Sequence, residues 1–342
     1  MGPGSDADSI RELRSGTTLL WQHRYVLSRP PGYFPYEALC GILNALGGTV
    51  ASNLATVAMS LAALDSFLMI CRHFQIPHRN LLTLTMAIHP VYWASSSSTI
   101  DFVWALGCFL IGFRMLLSDH FWAAAAMCGL SIGIRLSSIL LVVPLLVSEL
   151  VARPREARLW AAAGVTAVVG VSLYIPEFVA SGNSLGFLTY YLGEWTLTDR
   201  VGRFIYKNVY FWGLPVAIFL GVFASMLMRK LLSDRNWMTI VMLSGSIVLS
   251  FEALFFKLPV QRAYLLPLLP FALMLIGIGL RDRRRMLYTF AALVFSYNFI
   301  SLSLARPDVP DRATRAIFGI VVEPGYLLTD VAARRTISRA IR

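Results

Sequence analysis

Ionisable residues are sparse in this chain, and those that occur gather where their spacing could do chemistry. Near the start, Ser5-Asp6-Ala7-Asp8-Ser9 leads into Ile10-Arg11-Glu12-Leu13-Arg14-Ser15-Gly16, which reads as a short capped helix that ends at glycine. Asp6 or Asp8 could be nothing more than the N-cap, because aspartate is a preferred cap. A capping carboxylate can still face a substrate and take a proton from an attacking hydroxyl, an effect of roughly 10² to 10⁴ in rate. Sequence alone leaves open which of the two is the base.

A second group follows in Tyr25-Val26-Leu27-Ser28-Arg29-Pro30-Pro31-Gly32-Tyr33-Phe34-Pro35-Tyr36-Glu37. Paired prolines before a glycine impose a non-helical bend, and the surrounding aromatics suit a membrane interface. Arg29 offers a planar, permanently charged fork for a phosphate. The plainer reading is a loop in an aromatic belt. A third group consists of charged or titratable residues inside apolar runs: Asp65, His89, Asp101, Arg135, Glu177, Glu252 and Arg262. A charge at the bilayer centre costs about 2.5 to 3.5 kcal/mol on insertion scales, so these residues should face a cavity or a partner. The plainer readings are a helix N-cap for Asp101, interfacial depth for Glu177 or Glu252, and a structural ion pair for Asp65.

The elements that must position these groups are membrane helices. Of 342 residues, 57% are hydrophobic and 14% charged, against roughly 25% charged in a soluble domain. The apolar residues fall into nine runs, at 50–71, 81–97, 101–117, 121–149, 159–178, 205–228, 237–256, 264–280 and 286–304, all but 121–149 near the length that crosses about 30 Å of hydrocarbon. The run 121–149 is too long for one straight crossing, and Gly129, Gly133 and Arg135 divide it into two short helices. The expected fold class is therefore an all-α polytopic transmembrane bundle of about nine to eleven membrane segments. Residues 1–49 are expected to form an outer loop with the acidic motif and juxtamembrane helices, 50–304 the helical domain, and 305–342 a short outer tail. Residues 36–47 read as an interfacial helix, and 329–342 as a basic amphipathic one.

Orientation follows from the short basic loops. With residues 1–35 outside, Arg72, Arg79, Arg114, Arg153, Arg155, Arg158, Arg229, Lys230, Arg235, Arg281, Arg283, Arg284 and Arg285 all fall inside. The net charge of +11 thus reads as membrane topology rather than a nucleic-acid interface. Four cysteines and five histidines are scattered without the spacing of a disulfide framework or a metal site.

In order and spacing these features resemble the GT-C superfamily of membrane glycosyltransferases, closest to its protein O-mannosyltransferase and aminoarabinose-transferase branch. The residues that carry the resemblance are Asp6 and Asp8, Arg29-Pro30-Pro31-Gly32, Asp101 at a helix start, Gly129-Leu130-Ser131-Ile132-Gly133-Ile134-Arg135, and Arg262-Ala263-Tyr264-Leu265-Leu266-Pro267. It runs well from about residue 5 to 150 and thinly afterwards. The family pattern begins with a helix before the acidic loop, so a first transmembrane helix is expected to be missing here, through a truncated gene model, a late start codon or a cloning remnant at Met1–Ser5.

What the resemblance implies is transfer of a sugar from a polyprenyl or dolichyl phosphate to a protein, lipid or glycan hydroxyl on the extracytoplasmic face of the plasma or inner membrane. Asp6 or Asp8 would be the base, Arg29, Arg135 and Arg262 would hold the donor phosphate, and Tyr33, Glu37, Asp101 and Glu252 would line the substrate site. No cofactor is certain; related families leave a divalent cation possible, and no ligand spacing here demands one. Tyr190, Tyr191 and Trp195 could cover the acceptor or simply anchor a loop. The main rival is a transporter or lipid flippase, since buried charges and split helices suit a carrier as well; a non-enzymatic scaffold or degenerate transferase is the third reading.

Overall fold

The computed structural model of the chain describes residues 7–29, 31–185, 196–233, 235–304 and 319–325, without the side chains of residues 7 and 8. In chain order the first helices are α1 (Ala7–Gln22), α2 (Phe34–His73), α3 (Arg79–Ile88), α4 (Pro90–Ser96), α5 (Asp101–Leu117), α6 (Phe121–Ile134) and α7 (Ile139–Ala152). They are followed by α8 (Ala157–Ser172), α9 (Ile175–Ala180), α10 (Leu197–Trp212), α11 (Leu214–Ser233), α12 (Met238–Lys257), α13 (Leu269–Gly279) and α14 (Arg284–Ser296). Two short strands, β1 (Ile300–Leu304) and β2 (Ile320–Pro324), complete the described structure. Among the described residues, five helical stretches are long and apolar enough to cross a membrane, or six if the bent pair Pro90–Ser96 and Asp101–Leu117 counts as one span. The chain is an all-α polytopic integral membrane protein. It divides into two compact units, Met1–Ile70, Ser95–Gly193 and Ala332–Arg342 in one and Cys71–Ala94 with Glu194–Val331 in the other.

In the first unit, glycines decide where helices break and where they touch. A continuous α2 of 40 residues would be about 60 Å long, twice the hydrocarbon thickness. It breaks instead at Gly47 and Gly48, where Gly48 takes φ 64°, a conformation open to glycine at little cost. The break falls between the interfacial segment and the first span that hydropathy had separated. Gly16, expected to stop α1, lies inside it. A Cβ there would strike the Glu37 carbonyl and the backbone of Gly41, so α1 and α2 touch through bare backbone. The chain ends α6 at Ile134, leaves Arg135 extended (φ −147°, ψ 119°), and makes one 3₁₀ turn, Leu136–Ser138, before α7, as the split of 121–149 required. α6 nests against α8 through Gly129 on Val169 and Gly133 on Leu173, the small-residue contact by which helices associate in lipid.

In the second unit, three apolar runs do not continue as single helices. The run 81–97 is interrupted at His89, which is extended (ψ 126°) ahead of Pro90. The run 205–228 is divided at Gly213 (φ 83°), whose Cα faces the Tyr297 ring. The run 286–304 is helical only to Ser296. Its end is strand β1, paired antiparallel with β2 so that Ile300 opposes Pro324 and Leu304 opposes Ile320. The boundary expected at 304/305 therefore runs through a two-stranded sheet. Hydropathy counts apolar side chains and is blind to backbone breaks, which is why runs that read as continuous are divided in the fold. The expected helix at 329–342 lies outside the described residues.

Candidate functional site

Among the described residues, the densest buried charge lies in the first unit, where the link between α1 and α2 meets the starts of α5 and of the Arg135 break. The floor is apolar: Leu13, Tyr33, Tyr36, Cys40, Ala105, Cys108 and Ile134 form one buried cluster. Above it, Arg29 Nη2 donates to Glu12 Oε1 at 3.0 Å and to Asp101 Oδ1 at 2.9 Å. The other Asp101 oxygen accepts from Arg135 Nη1. Glu12 and Asp101 are wholly buried and the two arginines nearly so. The result is an alternating chain of two carboxylates and two guanidiniums. Aromatic faces complete it, with Arg135 3.7 Å from the Phe102 ring centre, and Arg29 and Arg135 at 4.8 and 5.5 Å from Tyr33.

Two further carboxylates hold the Arg29 loop. Glu37 accepts from Ser15 Oγ at 3.0 Å, from the Ser28 amide at 3.2 Å and from the Ser28 hydroxyl, which ties α1, the loop and α2 together one residue before Arg29. Glu177 Oε1, from α9, accepts the Phe34 amide at 2.7 Å and lies 3.5 Å from the Tyr25 hydroxyl. Gly32 takes φ 97° with its Cα pressed on the Glu177 side chain, so a larger residue would displace the loop from its anchor. Burial, with the negative charges of Glu37 and Glu177, holds the Tyr25 phenol well above its ordinary value, so Tyr25 remains a hydrogen-bond donor.

The structure thus brings together Arg29, Tyr33, Glu37, Asp101 and Arg135 of the residues singled out in the sequence. Asp101 is not the N-cap: Ile100 takes that position, Asp101 is the first residue of α5, and its two oxygens go to arginines. Asp65 pairs with Arg114 at 2.6 Å. Arg262 and Glu252 belong to the second unit, where Arg262 lies 4.1 Å from the Tyr210 ring centre and Glu252 accepts from Asn208 at 3.0 Å. Asp6, the Asp8 side chain, Tyr190, Tyr191 and Trp195 lie outside the described residues. Sequence reasoning gave Glu12 no role. In the structure Glu12 lies in a buried stripe of α1 with Ser9, Leu13 and Gly16, at the spacing of one helix face. Among the described residues no three His, Cys, Asp or Glu side chains come together as a metal site requires.

No protein-family model and no curated protein matches the sequence. A solved structure does match: ArnT from Cupriavidus metallidurans in the apo state, with TM-score 0.56 and 16% identity, covering 82% of this chain and 55% of that one. The fold is ArnT-like. At that identity the likeness is one of fold, and the chain spans about half the length of the ArnT structure.

Proposed function

We propose that the chain is a membrane glycosyltransferase that moves a sugar from a polyprenyl or dolichyl phosphate donor to an acceptor hydroxyl on the extracytoplasmic face. The observation that carries this is the buried Glu12–Arg29–Asp101–Arg135 chain. Its guanidiniums are fixed by carboxylates and aromatic rings at a helix break, and rigid cationic donors stabilise an anion that develops during reaction without having to reorganise. The ArnT-like fold supports the same reading.

In this mechanism Asp6 or Asp8 accepts the proton of the acceptor hydroxyl while its oxygen bonds to the anomeric carbon. The bond from that carbon to the phosphate oxygen breaks, and the lipid phosphate leaves with the electron pair. Arg29 and Arg135 neutralise the leaving group, and Arg262 is the third candidate for that role. A single displacement inverts the anomeric centre. Glu12, bound to Arg29, orients the guanidinium, and Tyr33 stacks beneath both arginines.

The test is transfer from radiolabelled polyprenyl-phosphate sugars in membranes, comparing the parent with Asp6→Asn, Asp8→Asn and Arg29→Ala at equal expression. Replacing the base should lower transfer by roughly 10² to 10⁴, and Arg29→Ala should abolish it. A panel of donors that gives no lipid-dependent transfer or hydrolysis, with solute flux that survives both aspartate changes, would replace this reading with the transporter.

A further inference from the structure

The second unit carries a basic hollow that the proposed transfer does not use. Residues 75–81, from the α2–α3 link and the first turn of α3, line a cavity of about 420 Å³ together with Arg284 and Tyr288 of α14. The hollow is built from two separate links. His78 Nε2 lies 3.3 Å from the Arg281 carbonyl, which fastens the α2–α3 connection to the α13–α14 connection. Arg79 and Arg284 are each the first residue of their helix, and both are exposed. The N-cap residues His78 and Arg283 make no side-chain cap hydrogen bond, so the first amides of α3 and α14 add donors and positive partial charge. Asn80 and His78 supply further polar groups to the lining.

No carboxylate lines this hollow. The acid in the α13–α14 link, Asp282, is instead engaged by Lys230 at 2.6 Å, and that hydrogen bond, with the nearby Lys230 and Arg281 charges, holds its carboxyl below the ordinary value. An anion entering between Arg79 and Arg284 therefore meets two guanidinium forks and no opposing negative charge. Guanidinium forks match the oxygens of phosphate. Basic pockets at the ends of membrane helices recur as sites for phospholipid headgroups.

We propose that the hollow between the α2–α3 and α13–α14 links is a phosphate-binding site, with Arg79 and Arg284 as its principal ligands. The chemistry is shared by an anionic lipid headgroup and by free phosphate, and the two are separated by experiment. The site is independent of the transferase reading, because its test reads lipid retention and not sugar transfer.

The purified chain is placed in nanodiscs of phosphatidylglycerol with phosphatidylcholine, and retained lipid is counted by native mass spectrometry, with inorganic phosphate titrated in neutral detergent as the second arm. The variants are Arg79→Ala, Arg284→Ala, their combination, and Arg235→Ala as a basic residue of the same unit outside the hollow. Retention of phosphatidylglycerol should weaken about five-fold for each arginine removed and be unchanged in R235A. Displacement by inorganic phosphate that the double variant abolishes would assign the site to free phosphate instead of a headgroup. The proposal fails if phosphatidylcholine is retained equally, if the double variant retains both anions like the parent, if R235A loses as much, or if neither anion is held.

Discussion

Asp101 bonds two arginines at once, so its charge is the one on which the buried chain balances. Asp101→Asn keeps the shape and leaves two buried guanidiniums with one carboxylate, Glu12, between them. Loss of one partner of a buried pair costs about 3 to 5 kcal/mol, which should appear as a lowered thermal midpoint in detergent together with loss of transfer. A paired change separates structure from chemistry. In Asp101→Leu with Arg135→Met, Arg29 keeps Glu12 and the charges again cancel, so most of the stability should return while transfer stays absent. If transfer returned with stability, the ion-pair chain would be a packing device and no part of the reaction. At this scale much was legible: in an apolar chain each of Arg29, Asp101 and Arg135 needs a partner. Glu12 was not, because one carboxylate on a polar, charged helix declares its burial only once the facing side of α2 is known. Glu177 was noticed, but its hold on the Arg29 loop depends on Gly32 reaching it from 145 positions away in sequence.

Among the elements, the contact of α1 with α2 sets the geometry of the loop between them. Alanine normally gains about 1 kcal/mol over glycine inside a helix, so Gly16→Ala would stabilise an unpacked α1. Here the new Cβ meets backbone atoms of Glu37 and Gly41, which cannot rotate away as a side chain could, and overpacking of that kind costs about 1 to 3 kcal/mol. The clash should win. Gly16→Ala and Gly41→Ala are expected to lower stability and to loosen residues 24–29, read as faster hydrogen exchange there, because Ser15 and Glu37 would no longer align with Ser28. Gly164 in α8 is the control, since nothing stands within 4 Å of its added Cβ; Gly164→Ala should be neutral or slightly stabilising. Equal behaviour at Gly16 and Gly164 would mean that the close helix crossing does not exist. Sequence separated the interfacial segment 36–47 from the span that starts at 50, and showed the break at Arg135, because glycines and a charge interrupt the apolar run there. It missed the strand at 300–304, where an apolar segment of Ile, Leu and Ser fits either state and pairing with 320–324 decides.

For the whole molecule, the distribution of positive charge carries the most information about how the chain sits in a bilayer. The surplus of +11 lies largely in short links between apolar helices, and such links are retained on the cytoplasmic side. The ArnT-like fold accommodates this arrangement without fixing its direction. Cysteine labelling can fix it, because the four native cysteines are all free and buried and should give little background in intact cells. Arg24, Arg155 and Arg235 are exposed, and each can be replaced by cysteine with loss of only one of many charges. A membrane-impermeant maleimide applied to intact cells should label Arg24→Cys and leave Arg155→Cys and Arg235→Cys untouched until the membrane is opened. That pattern would put the Arg29 loop, and with it the buried ion-pair chain, on the extracytoplasmic side, where a lipid-linked sugar presented there can reach it. The inverse pattern would turn the site to the cytoplasm, and the extracytoplasmic acceptor proposed above would then have to be abandoned even if transfer itself were observed.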